Sequence, residues 1–293
     1  MPSVGGTWLV GTAVPTQRAE NSAAAISGVI YLPGGLDARG RTLDTNEAYD
    51  TLTGTWTSLP PLPEPRDHFG LVALDGTLYL TGGGQFFTPA VRANTWAFDP
   101  ATASWTNLAP MPTGRWQHAS AAVGGRVYVV GGVVEGNGDS RSLWAYDPVS
   151  GEWHADLAPL PTEREHLSAV ELDGRLIVIG GRKVRNLGAV EAYDPTTDTW
   201  ETLPELPTPR GGMAVGVIRG RIHAAGGENL GSMATHPEHE VFDPVTMTWS
   251  KAPDMLTKRH GLASAVVDGR WYVIGGGRAA MLSVSNIVEV FEP

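Results

Sequence analysis

Short hydrophobic runs alternate with glycine-rich turns along the whole chain. The most regular runs hold three to five residues, many of them β-branched or aromatic, and each comes shortly before a Gly-Gly doublet. They lie at 29–32, 77–80, 126–130, 175–179, 221–223 and 270–274. This length and composition predict β-strands, and pairs such as Asp75-Gly76 before them predict two-residue hairpin turns.

These runs recur at fixed distances from an arginine, which indicates a repeat protein. A turn glycine lies ten residues after each arginine, and the first glycine of the doublet lies sixteen residues after it. Both offsets hold without a gap in all six units. The units begin at Arg18, Arg66, Arg115, Arg164, Arg210 and Arg259. Six matches at two offsets exclude chance.

Two more strands are predicted in each unit. A third strand ends in Tyr or Phe followed by an acidic residue, as at Tyr49-Asp50, and a fourth carries a tryptophan seven residues after that aromatic residue, as at Trp56. Four short antiparallel strands in about 48 residues predict one blade of a β-propeller, so we expect an all-β, six-bladed ring. The predicted blades are 18–58, 66–107, 115–155, 164–202, 210–251 and 259–293.

The two ends of the chain are expected to share a blade. The sixth unit stops after its third strand at Pro293, and an isolated tryptophan strand stands at 5–11, around Trp8. Completion of the C-terminal blade by the N-terminal strand would close one domain of residues 1–293 and would remove an exposed sheet edge.

The Gly-Gly doublet, the Tyr/Phe-Asp turn and the tryptophan seven positions later resemble the kelch repeat, and the resemblance covers essentially the whole chain. It implies a kelch propeller of the bacterial type. In similar kelch domains, arginines at the repeat position contact acidic peptides. Bacterial kelch propellers also include sialic-acid mutarotases, which pair an arginine with a carboxylate at the channel mouth. Arg18 with Glu20, or Arg164 with Glu165, would correspond to such a pair, although the family's site cannot be matched residue by residue.

Two enzyme classes that contain kelch propellers disagree with the sequence. The copper galactose oxidases need a Cys–Tyr crosslink, and this chain has no cysteine. The iron-dependent specifier proteins of plants carry a Glu-x3-Asp-x3-His spacing that is absent here.

Composition and charge narrow the classes of partner. The net charge of −10 argues against nucleic acid, and the absence of cysteine excludes disulfides and thiolate metal sites. The sequence contains no run of 18 apolar residues, which would indicate a membrane span, and no signal segment follows Met1. We expect a monomer without a cofactor, located in the cytoplasm in preference to export with a removed signal.

The connections between strands sort onto two faces, and function is expected on the more variable one. The glycine hairpins and the Asp turns share one face, called here the hairpin face. The arginine-bearing loops and the loops after the Gly-Gly doublets share the other, called here the variable face. On that face, the distance from the second glycine to the Tyr or Phe ranges from 12 to 15 residues.

The six arginines allow a structural and a functional interpretation. In the structural one, each pairs with a carboxylate or carbonyl of its own or the next blade. In the functional one, guanidinium groups at the channel mouth bind an anion. A glutamate stands two residues before the Tyr or Phe in four blades, at Glu47, Glu191, Glu240 and Glu289. The other two blades have Trp96 and Trp144 there, which are expected in the core. Arg66 or Arg115, with Arg164 as a third candidate, should then be free for a ligand.

The position two residues after each arginine breaks the repeat. It holds Glu20, His68, Gln117, His166, Gly212 and Gly261. A Glu or His near a channel mouth can act as general acid or base, so the catalytic candidates are Glu20, Glu165, His68 and His166. The i, i+3 pair His236 and His239 is a metal candidate that lacks a third ligand, so no metal site is expected.

The sequence therefore predicts a binding propeller that recognises an acidic peptide or a small anionic ligand on its variable face. The alternative is a cofactor-independent, mutarotase-like isomerase with an Arg–Glu/His site at the channel mouth. Exposed aromatic residues beside an available arginine are typical of binding sites. The predicted ligand-binding residues are Arg18, Arg66, Arg115, Arg164, Arg210, Arg259, His68, Phe86, Phe87, Trp116, Gln117 and His118.

Overall fold

A computed structural model describes residues 4–88, 91–136 and 138–293. All regular secondary structure in these residues is β, beginning with β1 (Thr7–Val10). The described part of the chain contains no helix with the length and hydrophobicity of a membrane span.

Six four-stranded antiparallel sheets form the blades, as predicted. The first contains β2 (Ala24–Ile26), β3 (Val29–Pro33), β4 (Asn46–Asp50) and β5 (Thr55–Leu59). The second contains β6 (Gly70–Leu74), β7 (Thr77–Thr81), β8 (Thr95–Asp99) and β9 (Ser104–Asn107). In the third, β10 (Arg115–Trp116) precedes β11 (Ala119–Val123) and β12 (Arg126–Val130), and β13 (Val133–Val134) and β14 (Gly138–Asp139) precede β15 (Leu143–Asp147) and β16 (Glu152–His154).

The remaining blades follow the same plan. The fourth contains β17 (Ser168–Leu172), β18 (Arg175–Ile179), β19 (Val190–Asp194) and β20 (Thr199–Leu203). The fifth contains β21 (Ala214–Ile218), β22 (Arg221–Ala225), β25 (His239–Asp243) and β26 (Thr248–Lys251), with β23 (Glu228–Asn229) and β24 (Ala234–Thr235) in its loop. The sixth contains β27 (Ala263–Val267), β28 (Arg270–Ile274) and β29 (Val288–Glu292).

Strand β1 completes the sixth blade, which confirms the predicted closure of the ring. It pairs antiparallel with β29, and Trp8 lies opposite Phe291. The Trp8 indole is 5% exposed and donates from Nε1 to the carbonyl of Pro253 at 2.8 Å. The first and last segments of the chain thus share one sheet and one core.

The repeated tryptophan connects neighbouring blades. Its ring packs on the aromatic residue of the third strand, as in the Tyr49–Trp56 pair with centroids 5.0 Å apart. In five of the six blades its Nε1 donates to a backbone carbonyl before its own blade, as from Trp200 to Ala158 at 2.8 Å, whereas Trp105 Nε1 has no partner among the described residues. One side chain therefore fills the core of a blade and bonds to the preceding connection, a sufficient reason for the repeat to carry it.

The six repeat arginines lie inside the blades, which corrects the expectation that they surround the channel mouth. All six side chains have 0% exposure. Five of the guanidinium groups bond to carbonyls of their own blade, for example from Arg164 Nε to Gly180 at 2.7 Å, and that of Arg66 bonds to the carbonyl of Pro65. Each predicted glutamate pairs with the arginine of its blade, giving Arg18–Glu47, Arg164–Glu191, Arg210–Glu240 and Arg259–Glu289. The structural interpretation describes them, because a buried cation is stable where it is paired and hydrogen-bonded.

The expectation that Arg66 or Arg115 is free for a ligand is wrong. Arg66 donates to Glu64 and Asn94, both at 2.9 Å, and its Cζ lies 4.6 Å from the centroid of the Trp96 ring. Arg115 donates to the carbonyl of Ser142 at 2.9 Å and stacks on Trp144. The tryptophans replace the glutamates as partners of these two arginines through cation–π contact. Arg164 is also fully buried and is therefore not accessible to a ligand.

Candidate functional site

A closed ring of backbone hydrogen bonds surrounds the propeller axis on the variable face. It is formed by the residue two positions after each arginine. Each donates its N–H to the carbonyl of the equivalent residue in the preceding blade, at N···O distances of 2.8 to 3.0 Å. The ring consists of Glu20, His68, Gln117, His166, Gly212 and Gly261. We call this the axial ring.

The axial ring holds its residues in the left-handed conformation. Gly212 and Gly261 adopt φ of 64° and 60° without cost, but Glu20, His68 and His166 adopt 54°, 51° and 49°. A left-handed conformation at a residue with a Cβ costs of order 1 kcal/mol or more, and such strain clusters at functional sites. Gln117 adopts the same conformation, with φ of 54°. Of these four strained residues, Glu20, His68 and His166 are those that the sequence singled out as candidates for chemistry.

The carboxylate of Glu20 lies among three imidazoles. Its Oε2 is 3.2 Å from Nε2 of His68 and 3.9 Å from Nε2 of His166, and its Oε1 is 3.5 Å from Nε2 of His260. These side chains are 14% exposed or less, and they come from the first, second, fourth and sixth blades. We call Glu20, His68, His166 and His260 the axial cluster.

Acceptors hold the other nitrogen of each histidine. His68 Nδ1 lies 2.7 Å from Oδ1 of Asp67, and His166 Nδ1 contacts the carboxylate of Glu165. His260 Nδ1 lies 3.2 Å from the carbonyl of Gly277. The acceptors at Nδ1 fix the orientation of the three rings, so that all three direct Nε2 toward Glu20.

Further hydrogen bonds hold the side-chain acceptors of these histidines in place. Asp67, which is fully buried, accepts from the Thr42 hydroxyl at 2.6 Å and from the Phe86 N–H at 3.0 Å. Arg182 donates to Glu165 and to Glu228, both at 2.6 Å, and its Nη2 lies 3.2 Å from His166 Nε2. A second layer of hydrogen bonds therefore determines where the axial imidazoles point.

The surroundings shift the pKa values of the ring histidines in opposite directions. Burial lowers the pKa of His68, but the Glu20 and Asp67 carboxylates outweigh it and raise this pKa above 6.5. Burial, followed by the charges of Arg182 and His68, lowers the pKa of His166 far below its ordinary value. Near neutral pH, the His166 imidazole is therefore uncharged.

A cavity of about 180 Å³ lies along the axis beside the ring. Glu20, His68 and His166 line it, together with Gln117 and His118 from the sequence prediction. His118 is 7% exposed, and its Nε2 lies 3.1 Å from the Thr81 hydroxyl. The structure therefore brings five of the predicted residues to one axial space.

The predicted aromatic residues lie around this site. The Trp116 ring, half-buried, has its centroid 5.6 Å from that of His68. Phe86 and Phe87 are 40% and 68% exposed, which agrees with the expectation that they are surface residues. Phe87 packs over Gly40, beside Leu282 of the sixth blade.

The metal candidate His236–His239 is wrong as a pair. His236 Nδ1 bonds to the Glu238 carboxylate at 3.0 Å, whereas His239 is fully buried and bonds to His223 at 2.8 Å. Of the described residues, the set of His and acidic side chains with the spacing of metal ligands is instead Glu20, His68 and His166, whose donor atoms lie within 4.8 Å of one another.

A second site is a cationic groove between the third and fourth blades on the variable face. It measures about 500 Å³. Its described lining residues are Arg141, Pro161, Thr162, Glu163, Lys183, Val184, Arg185 and Leu187. Arg141 is anchored by donation from Nε to the Leu160 carbonyl at 2.7 Å, and Lys183 pairs with Glu163.

His260, Arg182 and Glu228 were missed as site residues by the sequence reasoning. A signal existed for His260, because it directly follows a repeat arginine, as Asp67 and Glu165 do. That position breaks the repeat as much as the next one does. Arg182 and Glu228 follow Gly-Gly doublets, where no fixed spacing indicates contact with the axis.

Known proteins resemble this chain over nearly its whole length. Residues 6–132 and 117–292 match the family described as the KLHDC2/KLHL20/DRC7 Kelch-repeats domain. A solved structure described as "Structure of YjhT" is similar with 19% sequence identity, a TM-score of 0.80 and coverage of 95% of each chain, a likeness of fold alone. No curated protein matches the chain. With six blades built on the kelch residues and a family match over nearly all of its length, the chain belongs to the kelch-repeat family.

Proposed function

We propose that the protein is a binding propeller that recognises an anionic ligand, a short acidic peptide segment, in the cationic groove between the third and fourth blades. The main observation that supports this proposal is the positive charge of the groove. Of the described residues that line it, Arg141, Lys183 and Arg185 are cationic and Glu163 is acidic, although the whole protein has a net charge of −10. A local cationic site on an acidic protein favours anions there.

The shape and lining of the groove support a peptide. Its volume of about 500 Å³ lies in the range of ligand sites. Val184, which is 95% exposed, offers an apolar contact between the cationic residues. Arg141, held at Nε by the Leu160 carbonyl, keeps its other nitrogens for a carboxylate.

The axial site suits an anion less well. Around the axis, the carboxylates of Glu20, Asp67, Glu165 and Glu228 surround a single described guanidinium, that of Arg182. Two of these carboxylates already bind Arg182. Repulsion from these carboxylates would therefore oppose the binding of a further anion there.

The isomerase alternative loses its predicted pairs. It needs an arginine and a carboxylate that are both open to substrate, and Arg18 and Arg164 are buried against Glu47 and Glu191. Among the residues that the structure describes, Arg182 is the arginine beside the axis, and its guanidinium already pairs with Glu165 and Glu228. No specific observation favours this alternative over binding.

The test is fluorescence anisotropy with a labelled hexaglutamate peptide, compared with a labelled hexalysine peptide, at low and moderate salt. We expect the acidic peptide to bind with a Kd that rises with salt, and the double variant Arg141→Glu/Arg185→Glu to weaken it at least about 10-fold. Citrate as competitor distinguishes a small carboxylate from a peptide: displacement at low concentration indicates the small ligand.

The control variant is Arg270→Glu, at an exposed arginine on the hairpin face that pairs with Glu292. It changes the net charge in the same direction without touching the groove. Equal loss in this variant, or unchanged binding in the groove variant, would reject the proposed site.

A further inference from the structure

We propose that the axial cluster is a binding site for a divalent transition-metal ion, with His68, His166 and Glu20 as ligands and His260 as a fourth donor. This site is separate from the cationic groove and does not depend on the function proposed for it. Its donors come from four blades and meet at the axis through the backbone ring.

The first support is the spacing of the donor atoms. The Glu20 oxygens lie 3.2, 3.9 and 3.5 Å from Nε2 of His68, His166 and His260. Nitrogen and oxygen ligands at about 2.0–2.2 Å from one tetrahedral zinc ion lie about 3.4 Å apart. The observed separations from Glu20 bracket this value, and the donor atoms of Glu20, His68 and His166 lie within 4.8 Å of one another, so side-chain rotations can bring these three to a common ion.

The second support is the orientation of the imidazoles. Metal-binding histidines usually donate from the second ring nitrogen to a carboxylate or a carbonyl, which fixes the ring and strengthens the ligand. Asp67, Glu165 and the Gly277 carbonyl fill this role for His68, His166 and His260. Asp67 is held in turn by Thr42 and Phe86. A fortuitous group of polar side chains does not require this second layer three times.

The third support is the charge that the site encloses. Four carboxylates with low exposure, those of Glu20, Asp67, Glu165 and Glu228, stand around one described arginine, Arg182. Buried like charges are unfavourable unless a cation compensates them. Arg182 also approaches His166 Nε2, at 3.2 Å, but its charge is already neutralised by Glu165 and Glu228. A divalent ion at Glu20 would compensate Glu20 and Asp67, the two carboxylates with which Arg182 does not pair.

The donor types select the class of metal. Imidazole nitrogens with one carboxylate suit Zn²⁺ and neighbouring divalent transition ions, whereas Ca²⁺ and Mg²⁺ prefer all-oxygen sites. The axial cavity of about 180 Å³ adjoins the ligands, so an ion there has room for water or for a ligand atom.

The test uses untagged, chelator-treated protein titrated with Zn²⁺ by calorimetry, and with Co²⁺ followed by its visible spectrum. We expect one ion per chain and a Co²⁺ spectrum of nitrogen–oxygen coordination. Glu20→Gln and His68→Gln should each weaken Zn²⁺ binding at least about 10-fold. Glu20→Gln keeps side-chain size, and thermal unfolding verifies that each variant folds.

The matched control is His236→Gln, which removes the partner of Glu238 on the same face, away from the axis. It should leave the affinity and the Co²⁺ spectrum unchanged. Absence of 1:1 binding to the wild type, or equal affinities for the wild type and Glu20→Gln, would overturn the proposal. Ca²⁺ binding that matches Zn²⁺ binding would also overturn it, because this donor set discriminates between them.

Discussion

The guanidinium of Arg115 lies over the indole of Trp144, with Cζ 3.9 Å from the ring centroid, where four other blades place a glutamate. The repeat thus stabilises its buried arginine in two different ways. In the glutamate blades an ion pair with the strand glutamate satisfies the arginine. In the second and third blades a tryptophan covers its face, and Arg66 of the second blade also pairs with Glu64. Both solutions remove the arginine from solvent, so the choice between them does not create a ligand site.

Trp144→Ala should lower the free energy of unfolding by about 3–5 kcal/mol. The side chain is 7% exposed, so truncation leaves a cavity and also removes the cation–π contact with Arg115. Urea denaturation measures this change. Leu52→Ala, at a position that is 94% exposed, is the control and should change stability by less than about 0.5 kcal/mol. Similar losses in both variants would contradict a structural role for the stack.

The buried ion pairs should be far more sensitive than the exposed ones. Arg210 and Glu240 lie 2.6 Å apart with almost no exposure, so Glu240→Gln leaves a buried guanidinium without its counter-charge and should cost about 3 kcal/mol. The control Glu201→Gln removes the partner of Arg175 in a pair where the glutamate is 59% exposed, and should cost about 0–1 kcal/mol. Chemical denaturation of the two variants gives the comparison. Equal costs would show that burial does not determine the value of these pairs.

Closure of the ring by β1 predicts a strong effect of one N-terminal side chain. Trp8→Ala removes a buried indole, its bond to the Pro253 carbonyl and its packing on Phe291, and should destabilise the protein by about 3–5 kcal/mol. Val10→Ala, at an 80% exposed position of the same strand, should have little effect. Thermal unfolding tests both. An unchanged melting temperature for Trp8→Ala would show that the strand does not stabilise the closed ring.

The architecture was predictable because each blade repeats the same local solution. The turn glycines, the doublets and the tryptophans stand at fixed offsets, so periodicity alone indicated strands, blades and closure. The glutamates two residues before the Tyr or Phe even identified the partners of four arginines. These features depend on contacts within one blade or between neighbours.

The site was harder to predict because it depends on contacts across the ring. Glu20 and His166 are 146 residues apart in sequence; their shared repeat position places both near the channel mouth but does not indicate the contact between their side chains. The position of the arginines was predicted wrongly for a related reason. Their occurrence in every blade does not indicate how deeply they are buried, and the structure places them in the core rather than at the channel mouth. Breaks in the repeat at the axial ring were the better guide to the site.

A pair of buried histidines predicts an acid-sensitive stability. Burial, followed by the charge of Arg221, lowers the pKa of His223 to about 4, and burial, followed by His223, lowers that of His239 to about 3. In the unfolded chain both titrate near 6.5, so the unfolded state binds more protons between these values. The stabilising effect of their neutral forms is therefore complete above pH 6.5 and is lost as the pH falls toward 4.

The measurement is the free energy of unfolding of the wild type and of His223→Gln/His239→Gln between pH 7 and pH 4. We expect the wild type to lose about 5–6 kcal/mol more than the double variant over this range. All other titrating groups are common to the two proteins, so the difference between their slopes isolates the pair. Parallel pH profiles would contradict the assignment.

Alanine substitutions at two glycines of the axial ring test metal binding separately from the stability of the ring. Gly261 and Gly212 have similar left-handed φ, 60° and 64°, so alanine at either position has a similar backbone cost. A Cβ at Gly261 would lie 2.5 Å from Glu20 Oε1, whereas one at Gly212 would meet nothing closer than 3.3 Å. Gly261→Ala must therefore displace the Glu20 carboxylate, and Gly212→Ala leaves it in place.

Both variants should lose about 1 kcal/mol or more of stability from the strained φ, but their affinities for Zn²⁺ should differ. Gly261→Ala is expected to weaken Zn²⁺ binding at least about 10-fold, because it moves one ligand while all the ligands are retained. Gly212→Ala should bind Zn²⁺ as the wild type does. Calorimetric titration alongside thermal unfolding distinguishes the two effects. If both alanine variants weakened Zn²⁺ binding equally, the affinity would depend on the conformation of the backbone ring rather than on the position of Glu20.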